Sequence, residues 1–233
     1  MPRLRNIKPR VMAALAVPGF DPSLPELSGV AGKTLLGPLF SALLSPDALI
    51  RGRAAAAFGP CAAKMADVRM EDARILMRRL MWLMNEESGN VGWGIPEAMG
   101  EIMAASEKLA REYHRILISY VQDMDKDCNF IDHPPLRRGA WRGIARLAQA
   151  RPEYAVPAVP ELIAGLADCD PETRGLCALT LSFLPAHITP EARDALAALE
   201  ADDFAFDLYR DGLLAPVTVK ALAKAALDAA AGG

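Results

Sequence analysis

Residues 137–145 read Arg137-Arg-Gly-Ala-Trp-Arg-Gly-Ile-Ala145, and the same layout stands at three other places in the 233-residue chain. The other three are Arg51-Gly-Arg-Ala-Ala-Ala-Ala-Phe-Gly59, Gly92-Trp-Gly-Ile-Pro-Glu-Ala-Met-Gly100 and Arg174-Gly-Leu-Cys-Ala-Leu-Thr-Leu-Ser182. In chain order the starts are 41, 45 and 37 residues apart. The seventh column is always small (Ala57, Ala98, Gly143, Thr180), and so is the ninth (Gly59, Gly100, Ala145, Ser182). The eighth is always large and apolar (Phe58, Met99, Ile144, Leu181). Small residues let a neighbouring helix come close, and a large apolar residue between them is a knob for the core.

Around these segments the chain reads as helices joined by short breaks. Apolar residues make up 52% and charged residues 24%, which excludes a disordered chain. Aromatics are only 6%, and the apolar mass is mainly Ala and Leu, which favour helix over strand. Helical patterns run over 4–17, 33–44, 46–65, 71–87, 93–110, 112–122, 134–150, 157–167, 171–184 and 190–200. Several open on Pro, which suits a first helical position. Residues 18–32 hold three prolines and three glycines and read as a loop. The pattern changes at 204–219, where Arg210-Asp211-Gly212 divides two extended runs. Asp-Gly supplies the positive φ of a tight turn, so a β-hairpin is expected, with Thr218 capping a last helix.

Helix pairs recurring at about 40–47 residues are the signature of HEAT and armadillo solenoids. Ser45-Pro46 and Asp170-Pro171, each leading to an Arg and then to the small–large–small columns, resemble the HEAT turn and second helix. The stretch Asn85–Glu101, with Leu136-Arg-Arg-Gly139, is similar to an uncharacterised HEAT-like family of sulfate-reducing bacteria. The expected fold is all-α: a right-handed α-α superhelix of about four HEAT-like pairs in one domain. Residues 1–32 form an N-terminal cap, 33–187 the repeats, and 188–233 a C-terminal cap carrying the hairpin.

In such arrays the second helices line a concave binding face. If the knob column points inward, the second and sixth positions look outward. They give a stripe Trp93, Glu97, Glu101 in one repeat and Arg138, Arg142, Arg146 in the next, both at i, i+4, i+8. One reading is an inter-repeat ladder, Glu97 with Arg142 and Glu101 with Arg146. The other is a polar groove in which Trp93 and Trp141 anchor a protein or peptide, since Trp and Arg concentrate binding energy; Trp141, one position before Arg142, fits half-buried packing equally well.

Other chemistries fit less well. The resemblance to HEAT-like proteins admits an alkylbase DNA glycosylase, which would use the basic cluster Arg137, Arg138, Arg142, Arg146 and Arg151 around Trp141. The chain's formal charge is −3 and residues 161–233 alone carry −7, which disfavours general nucleic-acid binding. Gly32-Lys33-Thr34 lacks the earlier Gly of a P-loop, because Leu27 stands there. Asp123, Asp125, Asp127 and Asn129 alternate as in a calcium loop, but Cys128 replaces the turn Gly and Pro134 the closing Glu. No GxSxG, HExxH or CxxC is present, and the four cysteines fit reduced thiols in a cytoplasmic protein. No cofactor, metal or membrane partner is expected. Residues 11–17 are too short and too soon interrupted by Pro18-Gly19 for a signal peptide. The expected function is a non-catalytic scaffold for an unidentified protein or peptide.

Overall fold

The computed structural model describes residues 7–85, 91–124 and 129–232. Eleven helical segments follow in order among them: α1 Ile7–Ala16, α2 Gly32–Leu43, α3 Ala48–Leu83, α4 Ile95–Ala105, α5 Glu107–Ser119, α6 Pro134–Ala150, α7 Pro152–Ala155, α8 Val159–Gly165, α9 Pro171–Ser182, α10 Pro190–Ala198 and, after two strands, α11 Val219–Gly232. The strands β1 Ala205–Arg210 and β2 Leu213–Thr218 pair antiparallel, with Arg210 opposite Leu213. Asp211 and Gly212 both have positive φ (52° and 81°), the geometry the Asp-Gly turn predicts.

Several boundaries differ from the sequence reading for identifiable reasons. Helix α3 spans two expected helices, and Arg69 at φ −158°, ψ 107° breaks it into 48–68 and 70–83. Its N-cap is Asp47, two residues beyond Ser45, because the Asp47 carboxylate accepts from the amides of Leu49 and Ile50. The break expected near residue 111 falls at Ser106, which is extended. The helix expected over 157–167 is a staircase of α7, a 3-10 turn at Val156–Ala158 and α8, with Pro at the start of each step.

The inner layer stacks in the order α3 (its first half), α4, α6, α9 and α11. Outer helices α2, the second half of α3, α5, and α7–α8 complete four pairs, and α10 with α11 adds a further one. This is the expected α-α superhelix. The knob column explains the stack: Phe58, Met99, Ile144 and Leu181 all have no solvent exposure. The small columns set the spacing. A Cβ on Gly59 would lie 2.8 Å from the Glu101 carbonyl oxygen, and Cβ atoms on Gly100 and Gly143 would strike the Gly143 and Pro96 carbonyls.

The first column has its own task. Arg51, Arg137 and Arg174 each donate through Nη1 to the carbonyls six and five residues earlier. Arg51 reaches Ser45 (2.7 Å) and Pro46 (2.9 Å), Arg137 reaches Ile131 (2.7 Å) and Asp132 (3.1 Å), and Arg174 reaches Asp168 (2.8 Å) and Cys169 (3.3 Å). In these three segments one guanidinium thus satisfies two carbonyls of the turn that precedes α3, α6 or α9. No helix among the described residues is long and apolar enough to cross a membrane.

Candidate functional site on the inner helix face

The hairpin reaches from α9 to α3 across the array. It is inserted between α10 and α11, and its base is closed by Val219 N–H to Phe204 O (3.0 Å) and Lys220 N–H to Asp202 O (2.9 Å). From there it crosses the inner face. Phe206 seats on Gly175 of α9, Leu208 is buried, and Tyr209 seats on Gly52 of α3, where any Cβ would collide with its ring. At the tip, Arg53 is 4% exposed and donates from Nε to Gly212 O (3.0 Å). Its Nη1 donates to Leu15 O (2.8 Å) and Val17 O (2.9 Å), and its guanidinium lies over the Phe20 ring. Among the described residues no carboxylate pairs with this buried cation; carbonyl dipoles and a ring face surround it instead.

Between hairpin and helices lies a cavity of about 650 Å³. Its inner wall carries Trp93, Glu97, Glu101, Arg138 and Arg142, and the hairpin contributes Asp207 and Tyr209. A smaller cavity of about 280 Å³ lies at the tip, where Arg146 joins Glu101 and Arg142. Six of the seven residues singled out from sequence therefore line the inner face together. Trp141 does not: it is 4% exposed, near Gly165 and away from the cavity lining, with its indole N–H buried and unbonded. Its side chain is packed in the core, the second of the two placements its position allowed. Trp93 is 38% exposed and meets His133 edge-on at 5.6 Å between centroids.

The two stripes do lie side by side. Arg146 Nε donates to Glu101 Oε2 at 2.9 Å, and Arg142 Nη1 stands 3.9 Å from Glu97 Oε1. Sequence reading missed the third rung. Arg142 also bonds Glu172, and Arg138 holds Asp170 by a two-pronged contact (2.6 and 2.8 Å) and Glu172 at 3.2 Å. The available signal was Asp170-Pro171-Glu172 itself, an acidic first helical turn beside an Arg stripe. Arg53 also carried a signal: it stands in a column otherwise held by Gly94, Gly139 and Leu176.

Burial raises the Glu97 pKa, opposed by Arg142, and Glu97 Oε2 is buried without a hydrogen bond. Burial likewise raises Glu101, opposed by Arg146. For Asp170 burial works against the charge, yet the bonds from Arg138 and Thr173 outweigh it and the pKa is lowered.

The basic cluster is wholly committed. Besides the three arginines of the ladder, Arg137 serves its turn and Arg151 donates to the Met103 and Ala104 carbonyls at 3.1 and 3.2 Å. Among the described residues the inner face thus presents no stripe of uncompensated cations for a phosphate backbone. Gly32-Lys33-Thr34 opens α2 after a 3-10 turn at Pro25–Leu27, with Lys33 paired to Asp72 at 2.8 Å, and not after a strand. Asp125 and Asp127 of the calcium-like alternation lie outside the described residues. Among the described residues no cluster of three or more His, Cys, Asp and Glu side chains is placed to hold a metal.

Comparison with known proteins agrees with this architecture. Residues 134–184, which hold α6 to α9, match the model of the HEAT-like repeat. No curated protein matches the sequence. An engineered protein solved by the Northeast Structural Genomics Consortium is similar over 100% of both chains, with 16% identity and a TM-score of 0.60. A second engineered protein from that consortium is similar over 97% of both chains, at 17% identity and TM-score 0.52. A designed armadillo repeat protein in complex with the peptide (KR)4 is 17% identical over 95% of this chain and 98% of its own, with TM-score 0.52. The class is therefore that of the helical HEAT and armadillo repeat folds.

Proposed function

We propose that the chain is a non-catalytic cytoplasmic scaffold that holds a protein or peptide segment on its inner face. The observation that carries this reading is the cavity of about 650 Å³ beside the exposed Trp93, walled by charged groups of both signs. A pocket of that size lined by apolar surface and a few convergent polar groups is the usual form of a binding site. The designed armadillo protein crystallised with (KR)4 offers a precedent for peptide capture by this architecture. Residues 85–101, the stretch similar to a HEAT-like family of sulfate-reducing bacteria, supply Trp93, Glu97 and Glu101 and are the most individual part of the site. The cysteines Cys61, Cys169 and Cys177 are free, in keeping with a reducing compartment.

Selection from a random peptide library tests the reading. Enriched peptides are expected to lose at least about tenfold in affinity on Trp93→Ala while the melting temperature stays put. Failure to enrich any peptide, or binding indifferent to Trp93 and to Arg142, overturns it.

A further inference from the structure

The hairpin already occupies the inner face in the manner of a ligand. Phe206 and Tyr209 sit on Gly175 and Gly52, the second-column residues of the two outermost segments, where the middle segments carry Arg138 and Trp93. Removal of side chains at those two positions creates the seats. Arg53 then fixes the turn by a main-chain contact, to the Gly212 carbonyl, which any sequence can offer.

The fit is incomplete. Cavities remain on both flanks of the hairpin, and Tyr209 Oη and Glu97 Oε2 are buried without hydrogen-bond partners. No residue of β2 is fully buried, and Leu213 at the turn is 65% exposed. An isolated two-stranded hairpin is marginal in water, so this one depends on its few seats. Its base is closed by main-chain bonds and flanked by α10 and α11, so it can lift as a unit without unwinding either helix.

We infer that the inner face is a receptor for an extended strand, that β1 is its resident occupant, and that an outside partner takes the same place with an aromatic–x–aliphatic–aromatic segment like Phe206-Asp-Leu-Tyr209. This rests on the scaffold reading and names the partner's chemistry. The resident strand competes from a local concentration in the millimolar range, as a short tether provides. Partner affinity is therefore set by how readily the hairpin lifts.

The probe is a synthetic peptide with the sequence of residues 204–218, added to the full chain. Phe206→Ala/Tyr209→Ala protein, with its own strand weakened, is expected to bind this peptide at least about tenfold more tightly than wild type. A peptide carrying the same two alanines is expected not to bind. In wild type, hydrogen exchange of β1 amides is expected to run about 100-fold faster than that of α4 and α6 amides, through local lifting. Equal peptide affinity for both proteins, or β1 exchange only on global unfolding, overturns the inference. Should the double variant fail to fold, wild type with millimolar peptide decides: β1 protection falls if the strand is displaced, and unchanged protection sinks the proposal. A library that enriches peptides of unrelated pattern at Trp93 overturns this inference while leaving the scaffold intact; an empty library with a freely lifting hairpin overturns the scaffold reading itself.

Discussion

Gly100 and Gly143 meet backbone to backbone where α4 crosses α6, and a Cβ on Gly100 would run into the Gly143 main chain. The obstacle is backbone on both sides, so no side chain can turn away to relieve it. Gly100→Ala is expected to destabilise the protein by about 2–3 kcal/mol, as overpacking in a tight core does. Gly37→Ala, in open space, serves as the control with little change or a slight gain. Urea unfolding of the two variants checks this; equal midpoints would remove the close approach as a determinant of the stack.

Arg142 stands between Glu97 and Glu172, whose side chains are largely withdrawn from water. Its removal takes the nearest cation from Glu97 and leaves Glu172 to Arg138 alone. Arg142→Ala is expected to cost about 2–4 kcal/mol. Arg74→Ala, which breaks the more exposed pair with Glu112 (2.6 Å), is expected to cost less than about 1 kcal/mol. Denaturant titration that ranks the two alike would contradict the ladder as a stabilising feature.

Asp72 receives the Arg69 guanidinium and the Lys33 ammonium, whose bonds lower its pKa from 3.8 to about 2. The unfolded chain therefore takes up this proton first as pH falls. The stabilisation is complete above pH 3.8 and disappears as pH drops through about 2. Asp72→Asn is expected to flatten that part of the acid-unfolding curve, measured between pH 5 and 2. An unchanged slope would mean that the bonds from Arg69 and Lys33 do not lower the Asp72 pKa in the folded chain.

Glu97 shifts the other way, since burial raises its pKa and Arg142 only partly offsets this. Here the folded state holds the proton more tightly than the unfolded chain. The charged form is a burden at neutral pH, and that burden lifts as pH falls through the raised value. Glu97→Gln is expected to raise the melting temperature at pH 7 and to lose this advantage in acid. A variant less stable than wild type at pH 7 would show that the contact with Arg142 outweighs the burial.

Trp93 and Trp141 are expected to part company under mutation. Trp141→Ala empties a site in the core and should cost about 3–5 kcal/mol. Trp93→Ala removes a half-exposed ring and should leave stability within about 1 kcal/mol. Thermal melts of the two variants make the comparison. Only Trp93 then gives a clean reading of binding.

The stacking of the array was legible because a repeat writes the same demand four times. Phe58, Met99, Ile144 and Leu181 announce one core column, and the small residues on either side announce one spacing. The pairing of Glu101 with Arg146 followed from that register. The place of Trp141 stayed open between groove and packing, since one residue of helix is 100° of rotation and the stripe through Arg142 does not fix the ring beside it. The path of the hairpin was equally hidden. Its turn is local chemistry and readable at Asp211-Gly212, whereas its seats, Gly52 and Gly175, lie far away in sequence and look like ordinary glycines in helices. The link between Arg53 and Gly212 spans 159 positions, a distance no local pattern encodes.

Open solenoids lengthen or shorten by whole repeats, because each unit needs only its neighbours. The crossing of residues 205–218 removes that freedom here. A strand six residues long must reach from Gly175 to Gly52, so inserting or deleting one helix pair between them would leave Tyr209 short of its seat or driven past it. The array has a built-in ruler, and its curvature and its number of turns are tied to the length of one strand.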